Sequence, residues 1–284
     1  MKLLITGSQG QLAKEIIREV EKRGYEYIAF DHGSLDIIDL EKVREAVKGN
    51  LPDFVINCAA YNAVDNAEKD WETAYLVNGI GPKNLAIACE ESKSVLVHYS
   101  TDYVFDGGKG TPYTIADIPN PINTYGKSKL LGERFVQSLS TKYFLIRVSW
   151  VFGVGNDTNF AKKVLKWASK NETLKVVDDQ ISSPTYAVDL AKATLDLIKT
   201  GAYGLYHITS PVSCSRYEWA KYILELIGWK GNLLPAKSYE FKTPAKRPGY
   251  SFMDSFPIKE TIGYNLDEWK EMTRRFIEEI GNEK

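Results

Sequence analysis

The sequence predicts an α/β protein, a doubly wound parallel sheet followed by a smaller C-terminal α/β lobe, on three observations. Through the first half, apolar β-rich runs alternate with longer amphipathic stretches. Those runs are continuously apolar, as in strands covered by helices on both faces. Between the first strand and the first helix lies a glycine-rich turn.

In chain order, strands are expected over residues 2–6, 25–31, 54–60, 94–101 and 143–150, with helical periodicity over 11–23, 40–48, 67–91 and 125–140. Strand, helix, strand in repetition implies right-handed crossovers. After Gly153 the rhythm loosens. Helices are expected over 160–170, 186–200, 216–227 and 266–280, short strands over 174–177 and 205–209, and a Pro/Lys-rich stretch over 235–248. The expected division is a first unit of 1–153, to which 178–208 returns, and a lobe of 154–177 with 209–284. No internal repeat or low-complexity tract is visible.

At 284 residues the chain can bury a large core without a disulfide or metal to hold it. Its 36 basic and 37 acidic residues nearly cancel, so no basic stripe points to a nucleic-acid partner. Cys58, Cys89 and Cys214 lie far apart and odd in number, and His32, His98 and His207 are equally scattered. That argues for free thiols in a reducing compartment and against a zinc cage. The richest apolar run, 144–154, is far shorter than a membrane span and carries Arg147. The apolar stretch at the N-terminus is too short for a signal peptide, so a cytoplasmic location is expected, with no membrane partner.

The turn Gly7-Ser8-Gln9-Gly10-Gln11-Leu12-Ala13 opens the first helix. Small residues let the backbone approach a pyrophosphate, and free N–H groups at the helix start receive its charge. In this position the turn reads as a Rossmann-type dinucleotide site. Asp31 ends the second strand, 24 positions after Gly7, where a carboxylate commonly binds ribose hydroxyls. The alternative is a solvated loop acid. An acid there favours NADH, while His32 beside it keeps NADPH open.

Reduction of a ketone needs an acid for the new alkoxide, and a Tyr with a Lys four residues on along a helix face supplies one. With 17 Tyr and roughly one residue in ten a Lys, chance alone gives between one and two such pairs. Two occur, Tyr125/Lys129 and Tyr217/Lys221, so position must decide. Tyr125 follows Thr101 by 24 residues, and Thr101 ends the fourth strand, at the edge of the sheet where reacting groups gather. Tyr217 lies among Trp219, Ile223 and Leu226 and reads as packing.

With Gly7-x-x-Gly10-x-x-Ala13, Thr101 and Tyr125-x-x-x-Lys129 in this order, the chain resembles the extended short-chain dehydrogenase/reductase superfamily. Within it, the segments 58–68 (beginning Cys58-Ala59-Ala60-Tyr61-Asn62), 100–107 (Ser100-Thr101-Asp102-Tyr103-Val104-Phe105-Asp106-Gly107), 147–153, 179–185 and Arg247-Pro248 resemble the dTDP-4-dehydrorhamnose reductase family. Ser182, where that family commonly has Gly, is a departure in the substrate loop. The resemblance implies NADPH- or NADH-dependent reduction of the 4-keto group of dTDP-4-dehydro-6-deoxy-L-mannose, giving dTDP-L-rhamnose. Tyr125 would be the proton donor, Thr101 would hydrogen-bond the carbonyl oxygen, and Lys129 would hold the nicotinamide ribose and acidify Tyr125.

The implied cofactor contacts are Gly7, Ser8, Gln9, Gly10, Gln11, Leu12, Asp31, Asp39, Leu40, Ala59, Ala60, Tyr61, Asn78, Ser100, Tyr125 and Lys129. Asn78 either positions a loop near the cofactor or caps local structure. The implied substrate contacts are Val64, Asp102, Tyr103, Phe105 and Trp150, although Phe105 and Trp150 read equally as core aromatics. Arg247, beside a turn-forming Pro, either pairs with the diphosphate or is a solvated charge. Glu15, Asp189 and acids near the C-terminus either gather a divalent cation at a subunit contact or form solvated helix faces. A closed homodimer is the default assembly.

Two rival readings share the fold. A sugar-nucleotide epimerase would recycle its NAD, and a dehydratase needs an Asp-Glu pair after the strand hydroxyl, where this chain has Asp102-Tyr103. A non-catalytic NAD(P)-binding regulatory subunit is the third possibility, one that the Thr101, Tyr125 and Lys129 constellation does not require.

Overall fold

The structure is a computed structural model and describes residues 1–282. The first half runs β1 (Lys2–Thr6), α1 (Gln11–Lys22), β2 (Glu26–Phe30), α2 (Leu40–Asn50), β3 (Phe54–Asn57), α3 (Trp71–Tyr75), α4 (Gly81–Ser92), β4 (Val95–Thr101), α5 (Thr124–Leu139) and β5 (Tyr143–Val148). The second half runs β6 (Val151–Phe152), α6 (Phe160–Ala168), β7 (Thr173–Val177), β8 (Ile181–Ser182), β9 (Thr185–Tyr186), α7 (Ala187–Thr200), β10 (Gly204–His207), β11 (Cys214–Ser215), α8 (Arg216–Leu226), β12 (Asn232–Ala236), α9 (Ile258–Ile262) and α10 (Trp269–Asn282).

Six strands form one sheet in the order β10-β5-β4-β3-β1-β2, every neighbouring pair parallel. Successive side chains of a strand point to opposite faces. In β1, Leu3 and Ile5 accordingly join one buried cluster, with Ile16 and Val20 of α1 and Leu190 of α7. Leu4 joins the other, with Val43 and Val47 of α2 and Leu85 of α4. Full burial of such side chains contributes about 2 kcal/mol each. Strand order reverses beside β1, since β2 lies on one side of it and β3 on the other. The carboxyl ends of β1 and β3 therefore frame a crevice, the topological switch point of an open α/β sheet.

The third strand stops at Asn57 rather than at residue 60. The Asn57 side-chain oxygen accepts from the Thr6 hydroxyl (2.7 Å) and from the Ala59 N–H (3.1 Å), turning the chain out of the sheet. The single helix expected over 67–91 is broken. A 3₁₀ turn (Asn66–Glu68) and α3 lead into a π-helical stretch, Leu76–Ile80, before α4. Pro82 has no N–H to give the Asn78 carbonyl, so the α-helical ladder cannot run through this point. The fifth strand ends at Val148. Trp150 then takes φ 45°, and β6 leaves the main sheet to pair with β9.

Beyond β5, α7 packs on α1, and β10 completes the sheet. Outside the sheet, β7 pairs with β12 in parallel and β8 with β11 antiparallel. The Pro/Lys-rich stretch 235–248 begins with the last two residues of β12, and α9, absent from the sequence reading, packs on α7.

Candidate active site

Three connected crevices run across the carboxyl ends of the strands. The first, of about 420 Å³, is lined by Gly7, Gln9, Gly10, Asp31, His32, Ala59, Ala60 and Tyr61. Through Gly10, Ala59, Ala60 and Asn62 it opens into a second of about 380 Å³, which reaches Gln11, Leu12, Ser100, Thr101, Tyr125 and Lys129. Val64, Tyr103, Trp150 and Arg216 are shared with a third, of about 860 Å³, which extends to Arg247. The trough is continuous from the Gly turn to Arg247.

Gly7 sits at φ +67°, and a Cβ there would lie 2.6 Å from the Ala59 nitrogen. Only glycine lets β1 turn this closely past β3. Gly10 caps α1 with no side-chain acceptor, so no side chain competes for the first N–H groups of that helix. Gln11 donates to the Val151 carbonyl (2.9 Å), tying the turn to the far wall. Asp31 lines the crevice with its carboxylate accepting from the Ser34 N–H (2.9 Å) and hydroxyl (2.8 Å), and these bonds hold its pKa down. Ser100 Oγ is buried without a protein partner at the floor.

At the end of β4 the chain bends into a 3₁₀ turn, Asp102–Val104, capped by Thr101, whose hydroxyl oxygen accepts from the Tyr103 N–H (3.2 Å). Asn123 caps α5 by accepting from the Gly126 N–H (2.8 Å) and aims Tyr125 at that turn. A Cβ at Gly126 would meet the Tyr103 carbonyl at 2.1 Å, so this glycine permits the approach. The Tyr125 hydroxyl donates to the Asn62 side-chain oxygen (3.4 Å) and lies beside Thr101, with its ring edge-on to Tyr103 at 5.9 Å. One helical turn on, Lys129 is buried and donates to the Tyr99 carbonyl (2.6 Å).

Burial lowers the Lys129 pKa to about 8, opposed by Glu133 and Cys58. Burial pushes the Tyr125 phenol up, the Asp102 charge pushes the same way, and Thr101 opposes to the extent that it donates to a phenolate. Lys129 is not among the groups that move the Tyr125 phenol in this structure. Desolvation dominates and the phenol is held protonated, the form a proton donor needs. Asp102 is 2% exposed, and burial raises its carboxyl to about 6.

Five expected contacts fall outside the trough. Phe105 is fully buried in a small core, stacked on Tyr113 at 4.1 Å. Asp39 caps α2 and Leu40 begins it, and neither lines a crevice. The Ser8 N–H donates to the Phe30 carbonyl on β2. Asn78 lies behind the wall, where it brackets Tyr61 by accepting from its N–H (2.8 Å) and donating to its carbonyl (3.0 Å), the loop-positioning alternative. Arg247 lines the third crevice, but its fork is engaged by Asp65 at 2.7 and 3.1 Å.

The acids considered for a cation meet arginines instead. Asp189 accepts two bonds from Arg275 (2.8 and 2.6 Å), and Glu15 accepts from Arg18 (2.8 Å). Among the described residues no three His, Cys, Asp or Glu side chains converge on a cation site.

Arg216 escaped the sequence reading. Its guanidinium lies 3.6 Å from the centroid of Trp150, which in turn stacks on Trp219. The signal was present in Ser215-x-x-Glu218, which forms a capping box and so puts Arg216 at the first helical position of α8. Trp150 keeps φ +45° under this stack, a conformation that bulky residues adopt only when their surroundings enforce it.

The family described as RmlD substrate binding domain matches residues 1–282. The chain is 39% identical to the spore coat polysaccharide biosynthesis protein SpsK of Bacillus subtilis, over 98% of this chain and 97% of that protein. A solved dTDP-4-dehydrorhamnose reductase of Clostridium acetobutylicum is similar at 41% identity and a TM-score of 0.95, covering 99% of this chain and 100% of that one. A second, from Bacillus anthracis in complex with NADP, is similar at 40% identity and 0.94, covering 98% and 99%.

Proposed function

The chain belongs to the RmlD substrate binding domain family, and from that premise we propose that it reduces the 4-keto group of dTDP-4-dehydrorhamnose to dTDP-L-rhamnose with NADPH or NADH. One observation carries the reading. A protonated phenol, a strand-end hydroxyl and a buried ammonium stand together where the crevice at the sheet's switch point opens toward the second lobe.

The dinucleotide fits the first crevice on the chain's own geometry. The cradle at Gly7 is one that a Cβ would fill, the α1 amino end opens on it, and the buried Ser100 hydroxyl offers an unused polar atom. Gly10, Gln11 and the Ala59–Tyr61 wall would hold the pyrophosphate and adjacent ribose, and Asp31 the second ribose. Lys129 would hold the nicotinamide ribose. When bound, the reduced nicotinamide supplies the hydride that sugar C4 receives. Tyr125 donates its phenolic proton to O4, completing the alcohol. Thr101 and Tyr125 fix the carbonyl oxygen from one side, so the developing charge meets donors already in place. Tyr103, Trp150 and Val64 shape the passage to the third crevice, where the nucleotide lies. Arg216, resting on Trp150, faces its diphosphate.

On this reading residues 1–153 with 178–208 carry the cofactor, and 154–177 with 209–284 form the lobe that holds the sugar nucleotide. We assign the enzyme to the cytoplasm as a homodimer, a common closed assembly. Three free thiols suit a reducing compartment, and no helix among the described residues is long and apolar enough to cross a membrane. Sedimentation at two protein concentrations tests the dimer.

The test of function is an assay with a panel of dTDP-4-keto sugars and both reduced cofactors. Loss of nicotinamide absorbance in step with dTDP-rhamnose formed is expected. Conversion of the sugar with no net loss of reduced cofactor would replace the reductase reading with an epimerase.

A further inference from the structure

Arg247 lines the third crevice, yet its guanidinium is turned to Asp65. Nη1 and Nη2 donate to the two Asp65 carboxylate oxygens at 3.1 and 2.7 Å, and the Ala245 N–H adds a third bond to Oδ1 at 3.2 Å. Nη1 also donates to the Ala245 carbonyl (3.1 Å), so the arginine braces its own segment while it grips Asp65. A two-pronged guanidinium–carboxylate contact fixes direction as well as distance. The same contact holds the Asp65 carboxyl below its usual range, so the pair stays charged at neutral pH.

The segment 245–249 carries this grip to two further places. The Lys246 carbonyl accepts from the Asn123 side-chain N–H at 2.8 Å, and Asn123 is buried, its Oδ1 accepting from the Gly126 N–H as the cap of α5. Pro248 and Gly249 pass so close to Gly107 that a Cβ there would lie 2.7 Å from an atom of each. Asp65 in turn belongs to the loop after β3. That loop also carries Asn62, which accepts from the Tyr125 hydroxyl (3.4 Å), and Val64 in the passage to the third crevice. Glu68, at the end of the loop, accepts from the Thr124 N–H (2.8 Å) and hydroxyl (2.9 Å). Loop, segment and helix cap thus close a circuit of hydrogen bonds at the amino end of α5, and the Asp65–Arg247 pair is its link between loop and segment.

We propose that Arg247 is a positioning residue: through Asp65 and the segment 245–249 it fixes the loop and the α5 cap that hold Tyr125 from two sides. The kinetic consequence rests on the reductase reading, in which Tyr125 must meet the sugar oxygen in one orientation. A misplacement of about 1 Å can cost about 100-fold in rate. The structural consequence rests on the hydrogen bonds alone. Arg247 also faces the Tyr103 hydroxyl, so the pair is tested from the Asp65 side as well as its own.

Amide hydrogen exchange of the full chain without substrate is the first measurement. Asp65→Asn should speed exchange by about threefold or more in peptides covering 61–68 and 123–128, with those of β1 and α1 unchanged. Rates with dTDP-4-dehydrorhamnose and NADPH are measured on the same preparations. No oxidation by the wild type would reject the reductase reading, while the exchange result still decides the proposal. Given turnover, Asp65→Asn and Arg247→Met should each lower kcat by about tenfold, with KM for the sugar nucleotide and the Kd for dTDP within about twofold. The double variant should fall no further than either single, as the two ends of one contact do. Arg247→Lys, which reaches Asp65 with one prong, should keep more of the rate than Arg247→Met.

Three results would overturn the proposal. Exchange at 61–68 and 123–128 could stay unchanged, or the losses in kcat could multiply in the double variant. KM and the dTDP Kd could instead rise severalfold in Arg247→Met with kcat unchanged, which would mean that the arginine holds the diphosphate. If Arg247→Met does not fold, exchange and kcat in Asp65→Asn decide alone.

Discussion

The Tyr125 phenol is held as an acid by its surroundings, because burial and the Asp102 carboxylate both disfavour its charged form. Tyr125→Phe removes that proton and little else, so kcat should fall by about 10²–10⁴ while the Kd for NADPH stays within about twofold. Steady-state rates and fluorescence titration check the two halves. Asp102 carries a cost in stability. Its folded pKa of about 6 lies above the ordinary 3.8, so below about pH 4 both states are protonated. Between the two values the unfolded chain sheds its proton first, and stability declines as pH rises through about 6. Asp102→Asn should therefore gain on the wild type between pH 4 and 7.5, by about 3 kcal/mol at most. Urea unfolding at the two pH values reads the difference, and a gap that does not widen would show that the carboxylate is compensated. Of the residue-level chemistry, the Tyr125–Lys129 spacing and the strand-end Thr101 were legible because periodicity and position constrain them. The fates of Phe105 and Arg247 were not, because whether an aromatic lines a cleft or a core, and which acid meets an arginine, depends on contacts distant in sequence.

Glycines and a proline set how the elements approach one another around the site. Gly126 is the tightest case, since an added Cβ would collide with a backbone carbonyl rather than with a flexible side chain. Gly126→Ala should cost about 1–3 kcal/mol and displace Tyr125, lowering activity by a larger factor than the stability loss explains. Thermal unfolding and kcat on the same preparation separate the two effects. The main strands and helices α1, α2 and α5 were legible because continuous apolar runs and amphipathic faces have fixed periods. The stretch 67–91 was misread as one helix, since its apolar pattern survives through α3, the π-helical turn and α4. Pro82 breaks the ladder locally by lacking an N–H, and Asn78 is pulled inward by hydrogen bonds to Tyr61 and Ser128, which are distant in sequence. Strands β6, β8, β9 and β11 have two residues each and leave no period to detect.

Across the whole molecule, the order of strands decides where chemistry is possible. The reversal beside β1 opens the dinucleotide crevice, β4 and α5 bring Thr101 and Tyr125 to its end, and Trp150 after β5 and Arg216 at the start of α8 wall the far side. The parallel sheet was readable from the alternation of strand and helix, and the segment 178–208, expected to return to the first unit, holds α7, which packs on α1, and β10, which pairs with β5. A single trough serving both ligands implies direct transfer of a hydride across the junction between them. The measurement that tests this most directly uses NADPH carrying deuterium at the transferable position of the nicotinamide. After turnover with dTDP-4-dehydrorhamnose, mass and proton spectra of the product should show one deuterium, on C4 of the rhamnosyl ring. Deuterium kept in the dinucleotide, lost to water or found at another sugar carbon would contradict the account.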